Sequence, residues 1–513
     1  GKMGTAIVTE TPEFMFLNSE VIFDRRLQAC RAIEIRTIAV TTISKSTFRN
    51  CYTENIGAGI YLNNTLQSEE QEDFTLEDTV FDACQAITDG CAFFLNVSSS
   101  PVIRGLTIQN HKFDINTSVI LNYYDFQDLF TLFDCKFRSN SYQNTRQQDG
   151  GGSAIFIANG IKSSYESSYR ISFVGCTWTK NSGGYGGAFS SGIHTLHDDT
   201  ELSFERCTFT DNYADYDDGG ALFLKTKQMI FFDDCTFSKN RCHSPENLEN
   251  KCGGAIYIVS CSNLVLTATT FAENYAYNGN AIWVEDIPTA EITDCTFNSN
   301  NDGRVGAQIA SKSAELIIRD TTFEFNPKKA QARGIEILLK CQSTFANCQF
   351  SYCNATGNQG NGWGGAIHIL NNDASINRTE SLTLESCIFD KCDANNGAVI
   401  QGTISCNPTF KKCTISNCGS QIAGHFIIAI FFDQLQQFVT IDECTFLGNY
   451  FKGTSSSDAG GIGFWIAHQT GLDADSLSIK FLNCHFISNH AAKNGGVLGY
   501  GNSPRLKNIS LTF

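Results

Sequence analysis

Apolar and polar residues alternate in short runs along this chain, and one such run returns again and again. Its clearest copies read Cys207-Thr-Phe209-Thr-Asp-Asn212 with Gly219-Gly-Ala-Leu222, then Cys235-Thr-Phe237-Ser-Lys-Asn240 with Gly253-Gly-Ala-Ile256. Earlier copies start at Cys135 and Cys176. Later ones start at Thr269, Cys295, Thr321, Cys348, Cys387, Cys413, Cys444 and Cys484. The shortest step is 26 residues, from 269 to 295 and from 295 to 321, and longer steps carry polar insertions. A period of this size marks a solenoid, in which each unit shelters the next.

The spacing within a unit predicts its elements. In an extended strand, Cys and Phe of C-x-F point to one side and the residue between them to the other. Both are expected inside. Asn, three residues after Phe, falls at a corner where its amide can bond the matching amide of the next coil. Paired glycines reach backbone angles closed to other residues and turn the chain tightly. Ala then fills the corner, and Ile or Leu restarts the inward alternation, as in Ala255-Ile-Tyr-Ile258 and Ala366-Ile-His-Ile369. Each unit therefore reads as a few strands of about 5 residues making one circuit.

The expected fold is all-β, a single-stranded right-handed parallel β-helix of roughly 15 or more coils, about 70 to 90 Å long at 4.8 Å per rung. Residues 1–134 read as degenerate N-terminal coils, with Phe48, Phe81 and Ile108 in the aromatic position. Residues 135–513 read as regular coils continuous with them. The chain opens at Gly1 in mid-repeat and closes in a strand-like Ile509-Ser-Leu-Thr-Phe513, which suggests a piece of a longer protein.

Composition narrows the function. Of 513 residues, 40 are Phe, as an internal aromatic ladder requires, and the net charge is -16. That charge argues against nucleic acid or anionic lipid as a partner. The longest apolar stretch, Phe426 to Phe432, is far short of the roughly 18 residues of a membrane span, so no span is expected within the chain.

Twenty-two cysteines invite a metal reading, yet no C-x2-C pair is followed by a second at finger spacing. Those in the C-x-F column are expected to remain reduced. Rung neighbours hold Cβ atoms about 4.8 Å apart, whereas a relaxed disulfide needs about 3.8 Å. Cross-links are more plausible at corners and insertions. Cys242 with Cys252, which bracket one insertion, is the first candidate; Cys51, Cys84, Cys392 and Cys418, which take the Asn position, are further ones. Such bonds need an oxidising compartment. N-glycosylation sequons fall at Asn63, Asn96, Asn116, Asn354, Asn377 and Asn508.

The same scaffold carries polysaccharide lyases and hydrolases, whose chemistry needs carboxylates and a base converging from successive coils. The acidic run that includes Asp211, Asp215, Asp217 and Asp218 offers oxygen ligands for calcium, but Tyr213 and Tyr216 interrupt it. His194, His197 and His368 are scattered, and no nucleophile, base and acid assemble from the sequence. No cofactor is expected, and an enzyme is the weakest of the readings.

The paired F-x-x-N and G-G-A-I/L/V motifs, with Cys two residues before Phe, resemble the repeats of the polymorphic membrane proteins of chlamydiae and of similar surface proteins of some protists. The likeness runs over about residues 46–500. It implies a secreted or surface-displayed adhesin. In that family both tetrads are implicated in adhesion, and the matching copies here are Gly253 to Ile256 and Gly364 to Ile367. The family's C-terminal membrane barrel has no counterpart in this sequence, and a eukaryotic secretory origin fits the cysteines and sequons.

The expectation is thus an extracellular or cell-surface recognition protein with protein or glycan partners. Its insertions at 141–150, 241–252, 354–363 and 450–459 are the candidate binding loops. The alternative is a building block of an extracellular filament that pairs with copies of itself.

Overall fold

In a computed structural model of the chain, the described residues are 4–9, 13–23, 30–36, 40–54, 57–63, 73–86, 92–96, 101–113, 129–142, 155–156, 169–191, 200–215, 218–227, 229–242, 253–276, 279–300, 306–313, 315–325, 332–337, 342–356, 364–369, 381–395, 397–404, 407–420, 428–432, 436–451, 462–465, 476–490, 498–501 and 508–512. Among them there is strand and turn and no helix, hence none long and apolar enough to cross a membrane. Two compact units are present, Gly1–Leu264 with Asn274–Ala276, and Val265–Glu273 with Tyr277–Phe513.

In the first unit a representative coil runs Thr200–Glu205, Thr208–Thr210, Tyr213–Ala214, Leu222–Lys225. The next coil repeats it in parallel, with Phe204 opposite Phe232, Phe209 opposite Phe237, Ala214 opposite Cys242 and Leu222 opposite Ile256. Eight described C-x-F strands, from Glu20–Ile22 to Thr236–Ser238, stack this way. In the second unit eight more do so, from Thr270–Ala272 to His485–Ile487. There Ile292 faces Ile318, Phe297 faces Phe323 and Ile309 faces Ile335. The fold is a parallel β-helix.

The core is the file of rings that the C-x-F spacing implies. Trp178 stacks on Phe209 and Phe209 on Phe237, each at 4.5 Å between centroids. In the second unit Phe271, Phe297, Phe323 and Phe350 follow one another at 4.8, 4.9 and 4.7 Å. These separations equal the rung spacing, so ring stacking and strand pairing satisfy each other. Full burial of one Phe stabilises by roughly 1.5–3 kcal/mol, and most coils add at least one.

Two corners per coil require a left-handed residue, one just before Cys and one just before Asn. Asp234 (φ 50°) and Lys239 (φ 56°) frame one copy, and Ala268 and Glu273 the next. At the third corner the first glycine supplies positive φ, as at Gly219 and Gly364. The second glycine is needed for closeness: a Cβ on Gly187 would stand 2.5 Å from the Tyr213 backbone, and one on Gly365 would stand 2.9 Å from the Asp393 carbonyl oxygen.

Candidate functional site

The repeat residues first have to be separated from anything that could meet a partner. Asn212 is fully buried, and its amide is satisfied on every side. Its Nδ2 donates to the Trp178 carbonyl and to Asn240 Oδ1, both at 3.0 Å; its Oδ1 accepts the Asn181 backbone N–H at 3.1 Å and Asn181 Nδ2 at 3.0 Å. The same ladder runs from Asn140 through Asn181, Asn212 and Asn240 to Asn274, and again from Asn449 to Asn489. In the G-G-A-I tetrads Ala255, Ile256, Ala366 and Ile367 are fully buried. Both tetrads, which the family resemblance puts forward for adhesion, are therefore interior in this structure.

The cysteines are interior as well. Cys176, Cys207 and Cys387 in the C-x-F column remain thiols, each donating to a carbonyl of the preceding coil at 3.3 to 3.5 Å. Among the cross-link candidates, Cys51, Cys84, Cys392 and Cys418 are buried in the Asn position. Cys84, Cys392 and Cys418 are thiols that donate to the Phe48, Phe350 and Phe389 carbonyls at 3.5, 3.6 and 3.6 Å. Burial pushes the Cys392 and Cys418 thiols well above their ordinary range, so neither is a reactive thiolate. Cys242 is buried at the end of Arg241–Cys242, and Cys252 lies outside the described residues.

The acidic run is dispersed by strand geometry. Asp211 is exposed at a left-handed corner, Asp215 is half-buried with burial pushing its carboxyl up to about 6, and the Asp218 carbonyl accepts the Gly186 N–H. Asp217 lies outside the described residues. Among the described residues no three His, Cys, Asp or Glu side chains gather as metal ligands do. Of the sequons, Asn116 and Asn377 lie outside the described residues. Asn63 and Asn96 close their strands in register with one another, Asn508 opens Asn508–Thr512, and Asn354 opens Asn354–Ala355.

One cluster brings chemistry together that sequence reasoning left scattered. Strands Ala332–Ile337, Ile367–Ile369 and Ile400–Ile404 place Glu336, His368 and Gln401 in one register column over three consecutive rungs. Ile335, Ile337, Ile367 and Ile400 point into the core, so the column lies on the opposite face, where Glu336, His368 and Gln401 are nevertheless only 5%, 3% and 5% exposed. Glu336 Oε1 accepts from Arg333 Nη1 at 2.7 Å and from His368 Nδ1 at 3.0 Å. Burial raises the Glu336 carboxyl, but the His368 hydrogen bond and the Arg333 charge outweigh it and hold the group below its usual range. Burial lowers His368, which keeps the ring neutral at pH 7.

A carboxylate fixing Nδ1–H and leaving Nε2 to accept a proton is the arrangement of a general base. Here the carboxylate oxygen is shared by two internal cations or donors and the ring is almost wholly covered, so the cluster is closed in charge and in access. The repeat could have revealed it: Gly334-Ile-Glu-Ile337 and Ala366-Ile-His-Ile369 align on their isoleucines and put Glu336 opposite His368. A second residue that the repeat pattern did not single out is His111, which takes the Asn position after Ile108 and is fully buried. Its Nδ1 lies 2.7 Å from the Cys84 carbonyl oxygen and its Nε2 lies 3.2 Å from that of Phe81.

Comparison with known proteins agrees with this architecture. The family model described as right handed beta helix region matches residues 119–373 and 301–511. No curated protein and no solved structure matches the chain.

Proposed function

The chain belongs to the right-handed β-helix family, and from there we propose that it is a recognition scaffold of a cell surface or extracellular matrix, binding a protein or glycan through its inserted loops. The observation that carries this reading is where the insertions leave the coil. In the first unit those at 141–150 and 241–252 depart from Ser141–Tyr142 and Arg241–Cys242, strands of one five-stranded ladder. In the second unit those at 354–363 and 450–459 depart from Asn354–Ala355 and Tyr450–Phe451, again strands of one ladder. Within each unit, then, these two insertions leave from strands of one ladder, while the repeat residues are spent on the interior. Variable loops held by a rigid frame are where recognition resides.

The net charge of -16 and the six sequons support an extracellular setting, and the charge disfavours nucleic acid. The reading is of a binding protein and not of a catalyst. What supports that is the closed Arg333, Glu336 and His368 cluster, in which the buried Glu336 carboxylate is already held by the Arg333 guanidinium and the His368 ring.

The test replaces residues 143–150, 243–250, 357–363 and 452–459, singly and together, by short Gly-Ser turns and measures binding of the intact and trimmed chains to a glycan array and to immobilised collagen and fibronectin. Loss of a bound member on trimming, with the strand circular dichroism unchanged, supports the assignment. Binding that survives the trimming of all four insertions, or cleavage of a polysaccharide by the intact chain, overturns it.

A further inference from the structure

We propose that Asn354 is an N-glycosylation acceptor, modified on its Nδ2 by an oligosaccharide from a lipid diphosphate donor; this rests on the secretory reading above and deepens it. The sequon Asn354-Ala355-Thr356 sits on the corner strand from which the 354–363 insertion departs. Cys353 and Ala355 are fully buried, so Asn354 and Thr356 lie on the outer side, and both are partly exposed. Asn354 Oδ1 accepts the Thr356 backbone N–H at 2.9 Å and the Thr356 hydroxyl at 2.7 Å. Both acceptor positions of Oδ1 are thereby used, which fixes the amide's orientation. Its Nδ2 donates to no described residue.

This arrangement presents the amide nitrogen outward and holds it there by a turn made of three consecutive residues. Such a turn needs no distant part of the fold and can form on a nascent chain. The ladder asparagines show the contrast: Asn212 and Asn240 have the same side chain, but each Nδ2 has two internal acceptors and no exposure. Asn63 and Asn96 are backbone partners on adjacent rungs, so two sequons share one register position there. Asn354 faces Asp393 and Ala332 in its pairings, neither of which carries a sequon.

The transfer is balanced as an ordinary glycosyl substitution. The Nδ2 to anomeric carbon bond forms, the bond from that carbon to the phosphate oxygen breaks, the lipid diphosphate leaves with the electron pair, and one amide proton passes to a base of the transferase. The bulky product then stands beside the insertion at the same corner, where it would shape access to that loop.

The experiment expresses the full chain behind a secretion signal in a eukaryotic host and releases N-glycans enzymatically in heavy-oxygen water, so that each occupied Asn becomes a heavy-labelled Asp located by peptide mass. The expected result is label at position 354, lost in both N354Q and T356A and retained in T356S, with circular dichroism unchanged in each. An unlabelled Asn354 in molecules whose other sequons are labelled overturns this assignment and leaves the secretory reading standing. Absence of label at all six sequons overturns both.

Discussion

Acidification should weaken this fold through one side chain, His111. The ring is wholly buried in the position that elsewhere holds the ladder asparagine, and burial lowers its pKa from 6.5 to about 4, the Phe81 and Cys84 carbonyls and the Asp82 charge pulling back only part of the way. A histidine depressed in the folded state is protonated first in the unfolded chain. Below pH 6.5 the unfolded state therefore binds more protons, and stability is lost progressively until the folded ring itself titrates near pH 4. One pKa unit is worth about 1.4 kcal/mol, so this group alone costs about 2 kcal/mol between pH 7 and pH 5 and about 3 kcal/mol by pH 4. Asp215 works in the opposite sense: its carboxyl is raised to about 6, so the folded state takes up a proton first and gains stability as pH falls through that value. The contribution of His111 is thus isolated only by difference. The assay is guanidinium unfolding of the natural chain and of H111N across pH 7 to 4.5, with His111 followed by NMR titration. Asn fits the position in the adjacent coil, where Asn140 Nδ2 reaches the Ile108 carbonyl at 3.1 Å, so H111N should fold and show a shallower pH profile by about 2 kcal/mol at pH 5. Parallel profiles for the two proteins, or a His111 ring that titrates near 6.5, would refute the reasoning.

Two further outcomes follow from the same interior. Replacing Asn212 by Ala removes two donations and two acceptances from a fully buried ladder, leaving the Trp178 carbonyl and the Asn181 amides without their partner; the expected loss is about 3 kcal/mol, read as a lower unfolding midpoint, and a change below about 0.5 kcal/mol would contradict the ladder's role. Replacing Glu336 by Gln strands the buried Arg333 charge and should cost roughly 3–5 kcal/mol, whereas R333M/E336M/H368L together should be close to neutral if the cluster is structural; a triple variant that folds normally and loses partner binding would instead assign the cluster to recognition.

Much of this molecule could be read from its sequence because the strongest constraints leave fixed residues at fixed spacings. Cys and Phe alternate inward, Asn must satisfy a buried corner, and paired glycines are needed where a Cβ would meet backbone. The left-handed corners before Cys and Asn leave no such mark. Lys239, Asp234, Ala268 and Tyr352 all adopt φ near 50–60°. The penalty of about 1–2 kcal/mol for a non-glycine residue there is met by rung pairing on both sides, so the side chain is free to vary. The buried Arg333, Glu336 and His368 escaped for another reason. They occupy outward strand positions, which period-two reasoning assigns to solvent, and only the alignment of whole coils shows that Glu336 and His368 face each other.

The Asn position itself shows what the fold demands more clearly than its commonest occupant does. Asn212 sends Nδ2 to the Trp178 carbonyl at 3.0 Å, Cys392 sends Sγ to the Phe350 carbonyl at 3.6 Å, and His111 sets Nε2 3.2 Å from the Phe81 carbonyl oxygen. In each case the carbonyl belongs to the aromatic position of the coil before, where the left-handed corner turns the chain. An amide and a thiol both donate to that oxygen and an imidazole stands against it, so the position does not demand an amide as such. The amide adds an acceptor, through which Asn140 to Asn274 become one continuous chain of hydrogen bonds; a thiol accepts only weakly. Cys84 in the first unit, and Cys392 and Cys418 in the second, therefore keep the local bond and give up the side-chain amide ladder. On this argument those coils should open first under denaturant, ahead of the asparagine-laddered coils of the same unit.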